Sequence, residues 1–300
     1  YMQNSGLSNA INPLISIAHQ KVYSIPLFLL IGWRGAPGIK DEPQHLVKGS
    51  ITIQILKLLK IKYLILESEK DFRKLNKLIK FSRENNSIVA CLIKKNVLDL
   101  KNKSNKSNYK FYGIKREFFL KSLLANIKSF TNIISTTGYT SRELHQLRKK
   151  YYLKKGKDFY MVGGMGHSSM VALGVSLQTS KDTICLDGDG SMIMHMGSIA
   201  NIGTYAKKNY KHILLNNFSH ESVGGQRTFS ENLNFEEISN GAGYKKYFYL
   251  DKEKNIKKIL KKFLISPGPC FLEVKIKTGA MKNLSRPSDL IKIKKSFMKK

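Results

Sequence analysis

Two groups of oxygen-bearing side chains stand out in the second half of this sequence. One apolar run leads into a turn that contains Gly188, Asp189 and Gly190, and a later apolar run ends on paired asparagines, the second of which is Asn217. If both runs are parallel strands, their carboxyl ends share the sheet edge where ligands bind. Mg²⁺ prefers carboxylate and amide oxygens together with phosphate oxygens, and glycines let the backbone approach a phosphate closely. An Asp-Gly turn alone is common in α/β domains, but the asparagine pair favours a magnesium and phosphate site.

The elements that must position these side chains follow from the alternation of short apolar runs with segments of helical periodicity. This alternation predicts an α/β fold in which parallel sheets are flanked by helices. A polar run rich in lysine and asparagine near the middle of the chain is typical of a linker. We therefore expect a first domain over 1–98, a linker over 99–114 and a second domain over 115–300. Within the first domain, the pattern predicts a turn over 3–12 and a helix that begins near Pro13.

Composition limits the classes of function. The chain carries 52 Lys and Arg against 21 Asp and Glu, a net charge of +31, yet only eight of the basic residues are arginine. Nucleic-acid-binding proteins more often gather Arg and Lys on one face, so we expect a solvated lysine-rich surface and no nucleic-acid partner. No apolar run reaches the ~20 residues needed to span a bilayer, and the three cysteines lie in apolar runs. We expect a cytoplasmic protein with reduced thiols and no membrane partner.

The turn at 188–191, together with the asparagine pair at 216–217, resembles the motif by which thiamine-diphosphate-dependent decarboxylases bind magnesium and the diphosphate of their cofactor. The resemblance implies that Asp189, Asn217 and the backbone carbonyl of Ser219 hold Mg²⁺, and that thiamine diphosphate is the cofactor. It also implies a partial pyrimidine-binding first domain and a diphosphate-binding second domain. The other residues that it places at the diphosphate are Gly188, Gly190 and Ser191.

Two further turns take their interpretation from this resemblance. Gly164 and Met165 stand in a glycine-rich segment that by itself is typical of an ordinary strand-to-helix turn. In the family, a large apolar residue near this position wedges under the cofactor and bends it, and Met is an adaptable side chain for such a wedge. Thr137 and Gly138 follow a predicted strand, near the diphosphate in a family-like layout, although the segment after them would equally form a helix capping box.

The loop over 32–45 is long, charged and rich in Gly and Pro. Arg34, Lys40 and His45 are suited to bind a doubly charged anion, since the guanidinium group of Arg offers a forked contact. A plain surface loop is the alternative, but such a loop does not need this combination of charged and aromatic side chains.

The loop over 32–45 and the segment over 217–228 closely resemble their counterparts in phosphonopyruvate decarboxylases. The implied reaction is non-oxidative decarboxylation of 3-phosphonopyruvate to phosphonoacetaldehyde and CO₂, a step of phosphonate biosynthesis. The implied catalytic candidates are His45, His220 and Gln226. The last two could contact the substrate or move protons, and either could instead stabilise the loop by hydrogen bonds.

The resemblance leaves alternatives open. Sulfopyruvate decarboxylases share the plan and also act on a dianionic 3-substituted pyruvate, whereas carboligating enzymes of the acetolactate-synthase type carry a middle domain where this chain has a short linker. A non-catalytic remnant or interaction protein is a third alternative, because the glutamate that activates the cofactor has no counterpart here. We expect that glutamate before Tyr1, and hence a chain truncated at its N-terminus that turns over little alone. Active sites of the family lie at subunit interfaces, which implies a homo-oligomer.

Overall fold

A computed structural model describes three stretches of the chain, residues 1–98, 113–151 and 155–299. The chain forms two compact units, Tyr1–Ser104 and Asn105–Lys300, each built on a parallel sheet with helices packed against it. The predicted α/β fold is therefore confirmed. Most of the linker predicted over 99–114 lies outside the described residues, so the domain bounds stay predictions.

The first unit contains a four-stranded sheet. Its elements are β1 (Met2–Gln3), α1 (Asn4–Pro13), β2 (Leu27–Gly32), α2 (Pro43–Leu58), β3 (Lys62–Leu66), α3 (Phe72–Glu84) and β4 (Ile88–Ile93). The strand order is β1-β2-β4-β3, and every pairing is parallel. The apolar side chains of β2 and β4 form the centre of its core with Leu7 and Leu56 from the helices. Burial of such runs stabilises a parallel sheet that is covered by helices.

The beginning of the chain differs from the prediction. Residues predicted as a turn form α1, whose last residue is Pro13, so the predicted turn was wrong. The helical backbone continues in a π-helical segment, Leu14–Ala18, where a helix was predicted. Local composition favours a turn, but Leu7 is fully buried and the side chain of Asn4 donates to the carbonyl oxygen of Arg34 (2.9 Å) and to Oγ1 of Thr52 (3.0 Å). Tertiary contacts of this kind outweigh weak helix propensity.

The second unit contains a six-stranded sheet. Its elements are α4 (Arg116–Asn126), β5 (Asn132–Ser135), α5 (Tyr139–Lys150), β6 (Lys157–Tyr160), α6 (Ser168–Leu177), β7 (Thr183–Gly188), α7 (Asp189–Met194), α8 (Ser198–Tyr205), β8 (Tyr210–Asn216), α9 (Phe235–Gly241), β9 (Lys246–Leu250), α10 (Ile256–Ile265), β10 (Cys270–Lys275) and α11 (Leu290–Met298). The strand order is β6-β5-β7-β8-β10-β9, and every pairing is parallel. The terminal helix α11 lies in a basic segment where the sequence analysis predicted no element.

The two faces of this sheet pack in two apolar clusters. Ile184 and Leu186 of β7 belong to the cluster that includes side chains of α4, α5 and α10, while Cys185 belongs to the cluster that includes those of α6 and α8. Successive side chains of a strand point to opposite faces, so β7 is buried on both sides. A strand fixed on both faces holds the turn that follows it in a defined position.

Candidate active site

Three neighbouring strands end at one edge of the second sheet. β5, β7 and β8 lie side by side and run parallel, so the turns that follow them meet at this edge. The chain passes from β5 to β6 on one side and later to β7 on the other, which makes the gap between β5 and β7 the topological switch point where α/β sheets bind ligands. The structure thus brings together the predicted turns at 136–138, 188–191 and 216–219.

The hydroxyl group of Ser191 connects the turn after β7 to the turn after β5 and to the glycine-rich segment. Its Oγ accepts hydrogen bonds from Oγ1 of Thr136 (2.9 Å) and from the backbone N–H of Gly166 (3.0 Å). The neighbouring Thr137 donates from Oγ1 to the carbonyl oxygen of Val162 (3.0 Å), just before the glycine-rich segment. That segment carries the two residues predicted to bind the cofactor from this side, Gly164 and Met165.

Asp189 lies at the start of α7 and is almost completely buried, with 3% of its surface exposed. Its Oδ2 accepts hydrogen bonds from Oγ1 of Thr228 and from Oγ of Ser230 (3.1 Å). Burial raises the pKa of Asp189 above its usual range, although both hydroxyl groups favour the ionised form. A carboxylate buried in this way is stabilised by a bound cation.

The two asparagines that follow β8 have different surroundings. Asn216 is fully buried and donates from Nδ2 to Oε1 of Glu273 on the adjacent strand (2.8 Å), while its Oδ1 lies 2.9 Å from Oγ of Ser230. Since Ser230 also contacts Asp189, this serine links the ends of β7 and β8. Asn216 is therefore an anchor within the sheet.

Asn217 has its amide group held by a carboxylate on one side and a backbone N–H on the other. It donates from Nδ2 to Oε2 of Glu221 (3.0 Å), and its Oδ1 accepts from the backbone N–H of Ser219 (3.2 Å). An amide oxygen has two lone pairs, so Oδ1 can accept this bond and coordinate a cation. The carboxylate of Asp189, the amide oxygen of Asn217 and the carbonyl of Ser219 form a set of hard oxygen donors, which fits Mg²⁺.

The loop after Asn217 begins and ends in a strained backbone conformation. Phe218 and Phe229 both have φ = 59°, in the left-handed region, and Thr228 donates its N–H to the carbonyl oxygen of Phe218 (3.1 Å). This conformation costs roughly 1–2 kcal/mol for a residue with a Cβ atom. Strain of this kind persists where the surroundings fix the backbone, and it is concentrated at functional sites.

Side chains of this loop lie against the glycines of the other two turns. A Cβ atom on Gly190 would lie 2.3 Å from Cε1 of His220, and one on Gly138 would lie 2.8 Å from Oγ of Ser222. A Cβ atom at either position would therefore displace a side chain of this loop, and Gly138 also has φ = 95°, which favours glycine. His220 is placed beside the turn that contains Asp189, whereas the side chain of the exposed Gln226 folds back towards Gly224.

Sequence reasoning missed part of this site. The hydroxyl groups that hold Asp189, and the carboxylate that holds Asn217, received no role, although Thr228 and Glu221 belong to the segment singled out over 217–228. Ser230 lies just beyond that segment. Ser and Thr are common in loops and form no recognisable sequence motif here. These contacts are therefore seen only in the folded structure.

In the first unit, the loop over 32–45 packs closely onto the start of α2. Trp33 is buried and donates from Nε1 to the carbonyl oxygen of Gly49 (2.9 Å). Gly35 has φ = 67°, and a Cβ atom there would lie 1.9 Å from the backbone oxygen of His45. The loop is therefore anchored to the helix at both of these points.

The three predicted anion-binding residues of this loop differ in their surroundings. Arg34 forms an ion pair with Asp41 (Nε to Oδ2, 3.0 Å), and Lys40 is exposed. Burial, followed by the positive charge of Arg34, lowers the pKa of His45. Burial alone would raise the pKa of Asp41, but hydrogen bonds from Arg34 and from the N–H of Glu42 lower it below its usual value. The loop thus combines a neutral imidazole with a guanidinium group held in place by a carboxylate.

None of the helices in the described part of the chain is both long enough and apolar enough to cross a membrane.

Comparison with known proteins identifies the class to which this site belongs. Residues 135–274 match the family described as "Thiamine pyrophosphate enzyme, C-terminal TPP binding domain". This match begins at the last residue of β5 and runs through β7 and β8 to β10, so it covers the turns at this edge of the second sheet.

Three relatives with similar sequences are decarboxylases of two kinds. "Phosphonopyruvate decarboxylase" of Streptomyces viridochromogenes is 33% identical over 95% of this chain and 74% of its own length. "Sulfopyruvate decarboxylase subunit beta" of Methanocaldococcus jannaschii is 37% identical over 43% of this chain and 66% of its own length. "Sulfopyruvate decarboxylase" of Methanosarcina acetivorans is 26% identical over 93% of this chain and 75% of its own length. The chain belongs to the phosphonopyruvate decarboxylase family of thiamine-diphosphate-dependent decarboxylases.

Proposed function

We propose that the protein converts 3-phosphonopyruvate to phosphonoacetaldehyde and CO₂ with thiamine diphosphate and Mg²⁺, as a step of phosphonate biosynthesis. The observation that carries the proposal is that Asp189 and Asn217 follow β7 and β8, two adjacent parallel strands, at the edge of the sheet next to the switch point. At this edge Ser230 contacts both Asp189 and Asn216, the residue before Asn217. The relatives that are 33% and 32% identical over 95% of this chain are named for this reaction, which supports the choice of substrate.

In the proposed site the second unit holds the metal and the cofactor. Asp189, Asn217 and the carbonyl group of Ser219 bind Mg²⁺. Gly188, Gly190 and Ser191 face the diphosphate, because glycines admit it closely and α7 starts at that point. The remaining cofactor contacts come from Thr137, Gly138, Gly164 and Met165.

Reaction chemistry is divided between the cofactor and the protein. Bound thiamine diphosphate supplies a carbon nucleophile and an acceptor for the electron pair released with CO₂. The bond between the carboxylate carbon and the keto carbon breaks, and one proton must reach the former keto carbon to give the aldehyde. His220 and Gln226 are the proposed proton-moving or substrate-contacting groups of the second unit.

Recognition of the substrate dianion is assigned to the loop over 32–45. Arg34 and Lys40 supply positive charge, and Asp41 holds Arg34 in one orientation. A guanidinium group fixed in this way matches the oxygens of a phosphonate group better than a freely rotating cation. His45 is the proposed catalytic residue of this loop, since its lowered pKa favours the neutral imidazole that can accept a proton.

A substrate comparison tests the proposed function. The full-length protein, purified and supplied with thiamine diphosphate and Mg²⁺, is assayed for CO₂ release from 3-phosphonopyruvate and from sulfopyruvate. We expect a higher kcat/KM for 3-phosphonopyruvate. Preference for sulfopyruvate would assign the chain to the alternative supported by the methanogen relatives. Cofactor binding measured by calorimetry without any CO₂ release would support the third alternative, a non-catalytic protein.

We also propose a homo-oligomer with its active site at the subunit interface. The M. jannaschii relative is named as a subunit, which supports an assembly of more than one chain. Light scattering coupled to size-exclusion chromatography measures the assembly directly, and a monomer at assay concentration would contradict this proposal.

A further inference from the structure

A partly buried carboxylate, that of Glu221, is hydrogen-bonded to the proposed metal ligand Asn217. Oε2 of Glu221 accepts hydrogen bonds from Nδ2 of Asn217 (3.0 Å) and from Nη2 of Arg116 (2.9 Å). Its other oxygen, Oε1, accepts from the backbone N–H of Gly279. Three donors from three different parts of the second unit therefore converge on this one carboxylate.

The guanidinium group of Arg116 is itself held firmly. Only 5% of its surface is exposed, and its Nη1 lies 3.4 Å from Oε1 of Glu143 and 3.3 Å from the carbonyl oxygen of Gly279. Glu143 also accepts the N–H of Met281 (2.9 Å). Charge-assisted hydrogen bonds of this kind are shorter and stronger than neutral ones, so the carboxylate of Glu221 has little freedom to move.

The hydrogen bond between Glu221 and Asn217 determines how the amide group of Asn217 is oriented. An ionised carboxylate only accepts hydrogen bonds, and an amide has its donors on nitrogen and its acceptor on oxygen. Next to Glu221, the amide of Asn217 must therefore present Nδ2 to the carboxylate and Oδ1 to the opposite side. A cation binds the oxygen of an amide and is repelled by its NH₂ group.

We propose that Glu221, fixed by Arg116, is a positioning residue that makes Asn217 present its oxygen to the metal. This inference rests on the proposed magnesium site. It assigns to Glu221 no contact with the metal, the cofactor or the substrate. Residues that orient metal ligands in this way typically change metal affinity by about 10- to 100-fold when they are replaced.

The test is Glu221→Gln in the full chain. A glutamine side chain can donate as well as accept, so the amide of Asn217 is free to turn over. Thiamine diphosphate binding is measured by calorimetry at a series of Mg²⁺ concentrations. We expect the half-saturating Mg²⁺ concentration to rise by about 10- to 100-fold, with cofactor affinity returning toward the wild-type value at saturating Mg²⁺.

Glu143→Gln is the matched control, because this residue shares Arg116 but makes no contact with Asn217 among those that the structure describes. Its half-saturating Mg²⁺ concentration should stay close to that of the wild type. If Glu221→Gln also stays close to the wild type, or if both variants are impaired equally, the proposal is overturned.

A rescue variant tests the orientation of residue 217 directly, and thermal unfolding of every variant checks that it is folded. Asn217→Asp in the Glu221→Gln background carries two equivalent oxygens, and one faces the metal whichever way the group turns. This double variant should recover most of the lost Mg²⁺ affinity, and failure to recover it contradicts the orientation argument. Asp189→Asn separates the two proposals: if the wild type shows no dependence on Mg²⁺ and equals Asp189→Asn, the magnesium site itself is wrong.

Discussion

At the scale of single residues, the partly buried position of His45 makes the stability of the fold depend on pH. It lies in the first turn of α2, and its Nδ1 is buried without a hydrogen bond to any described residue. Burial and the charge of Arg34 lower its pKa below the ordinary 6.5, so the folded protein favours the neutral imidazole. His45 therefore binds a proton at higher pH in the unfolded chain than in the folded one. Its contribution makes the free energy of unfolding fall as the pH drops below about 6.5.

Replacement of His45 by Gln should remove this contribution. We expect the free energy of unfolding of the wild type to fall more steeply than that of the variant between pH 7.5 and pH 5.5. Urea unfolding of both proteins at several pH values measures the difference. Parallel curves for the two proteins would show that His45 is not held in its neutral form.

The residue scale also shows which contacts a sequence can predict. Asp189 and Asn217 were found because each follows an apolar run and because both carry oxygen ligands, a pattern that is local in sequence. The contact between Arg116 and Glu221 was not found, since it joins α4 to a loop far along the chain. Nothing in the surroundings of either residue in the sequence indicates its partner.

At the scale of elements, the site depends on the close approach of one loop to the turn after β7. Gly190→Ala should disturb this approach, because the added Cβ atom would lie 2.3 Å from the ring of His220. We expect a loss of affinity for thiamine diphosphate and Mg²⁺ of about tenfold or more, as expected for displaced supporting groups. Calorimetry measures the affinity, and thermal unfolding checks the fold.

Gly174→Ala in α6 is the matched control, because a Cβ atom there meets no atom within 4 Å. Alanine in a helix interior stabilises by roughly 0.5–1 kcal/mol over glycine, so this variant should keep its cofactor affinity and melt slightly higher. Wild-type affinity in Gly190→Ala would mean that the loop moves away at little cost and does not shape the cofactor site.

The elements themselves were predictable to the extent that burial follows local pattern. Most strands of both sheets are short apolar runs between polar turns, and the predicted alternation of strands and helices rests on this local pattern. Helix α1 was missed because its Asn, Ser and Gly residues favour turns, and its stability comes from the buried Leu7 and from the bonds of Asn4. Helix α11 was missed because its lysines resemble a solvated tail.

At the scale of the whole molecule, the net charge of +31 has to be reconciled with a proposed dianionic substrate. A field of this sign attracts anions at long range and raises their rate of association. The same field attracts nucleic acid, but the sequence gathers few arginines. Salt would weaken both effects, but each is measured separately. Steering of the substrate changes kcat/KM, whereas non-specific binding of polyanions changes the affinity for nucleic acid.

We expect kcat/KM for 3-phosphonopyruvate to fall by roughly tenfold when ionic strength is raised from about 0.05 to 0.5 M, since the screening length shortens to a few ångströms. The value of kcat should change little, because steering acts on association and not on the bound complex. Steady-state assays across this range, with a neutral osmolyte as the control for viscosity and water activity, measure both parameters. A constant kcat/KM would show that the positive charge serves solvation of the surface alone, and an equal fall in kcat would place the effect of salt within the active site.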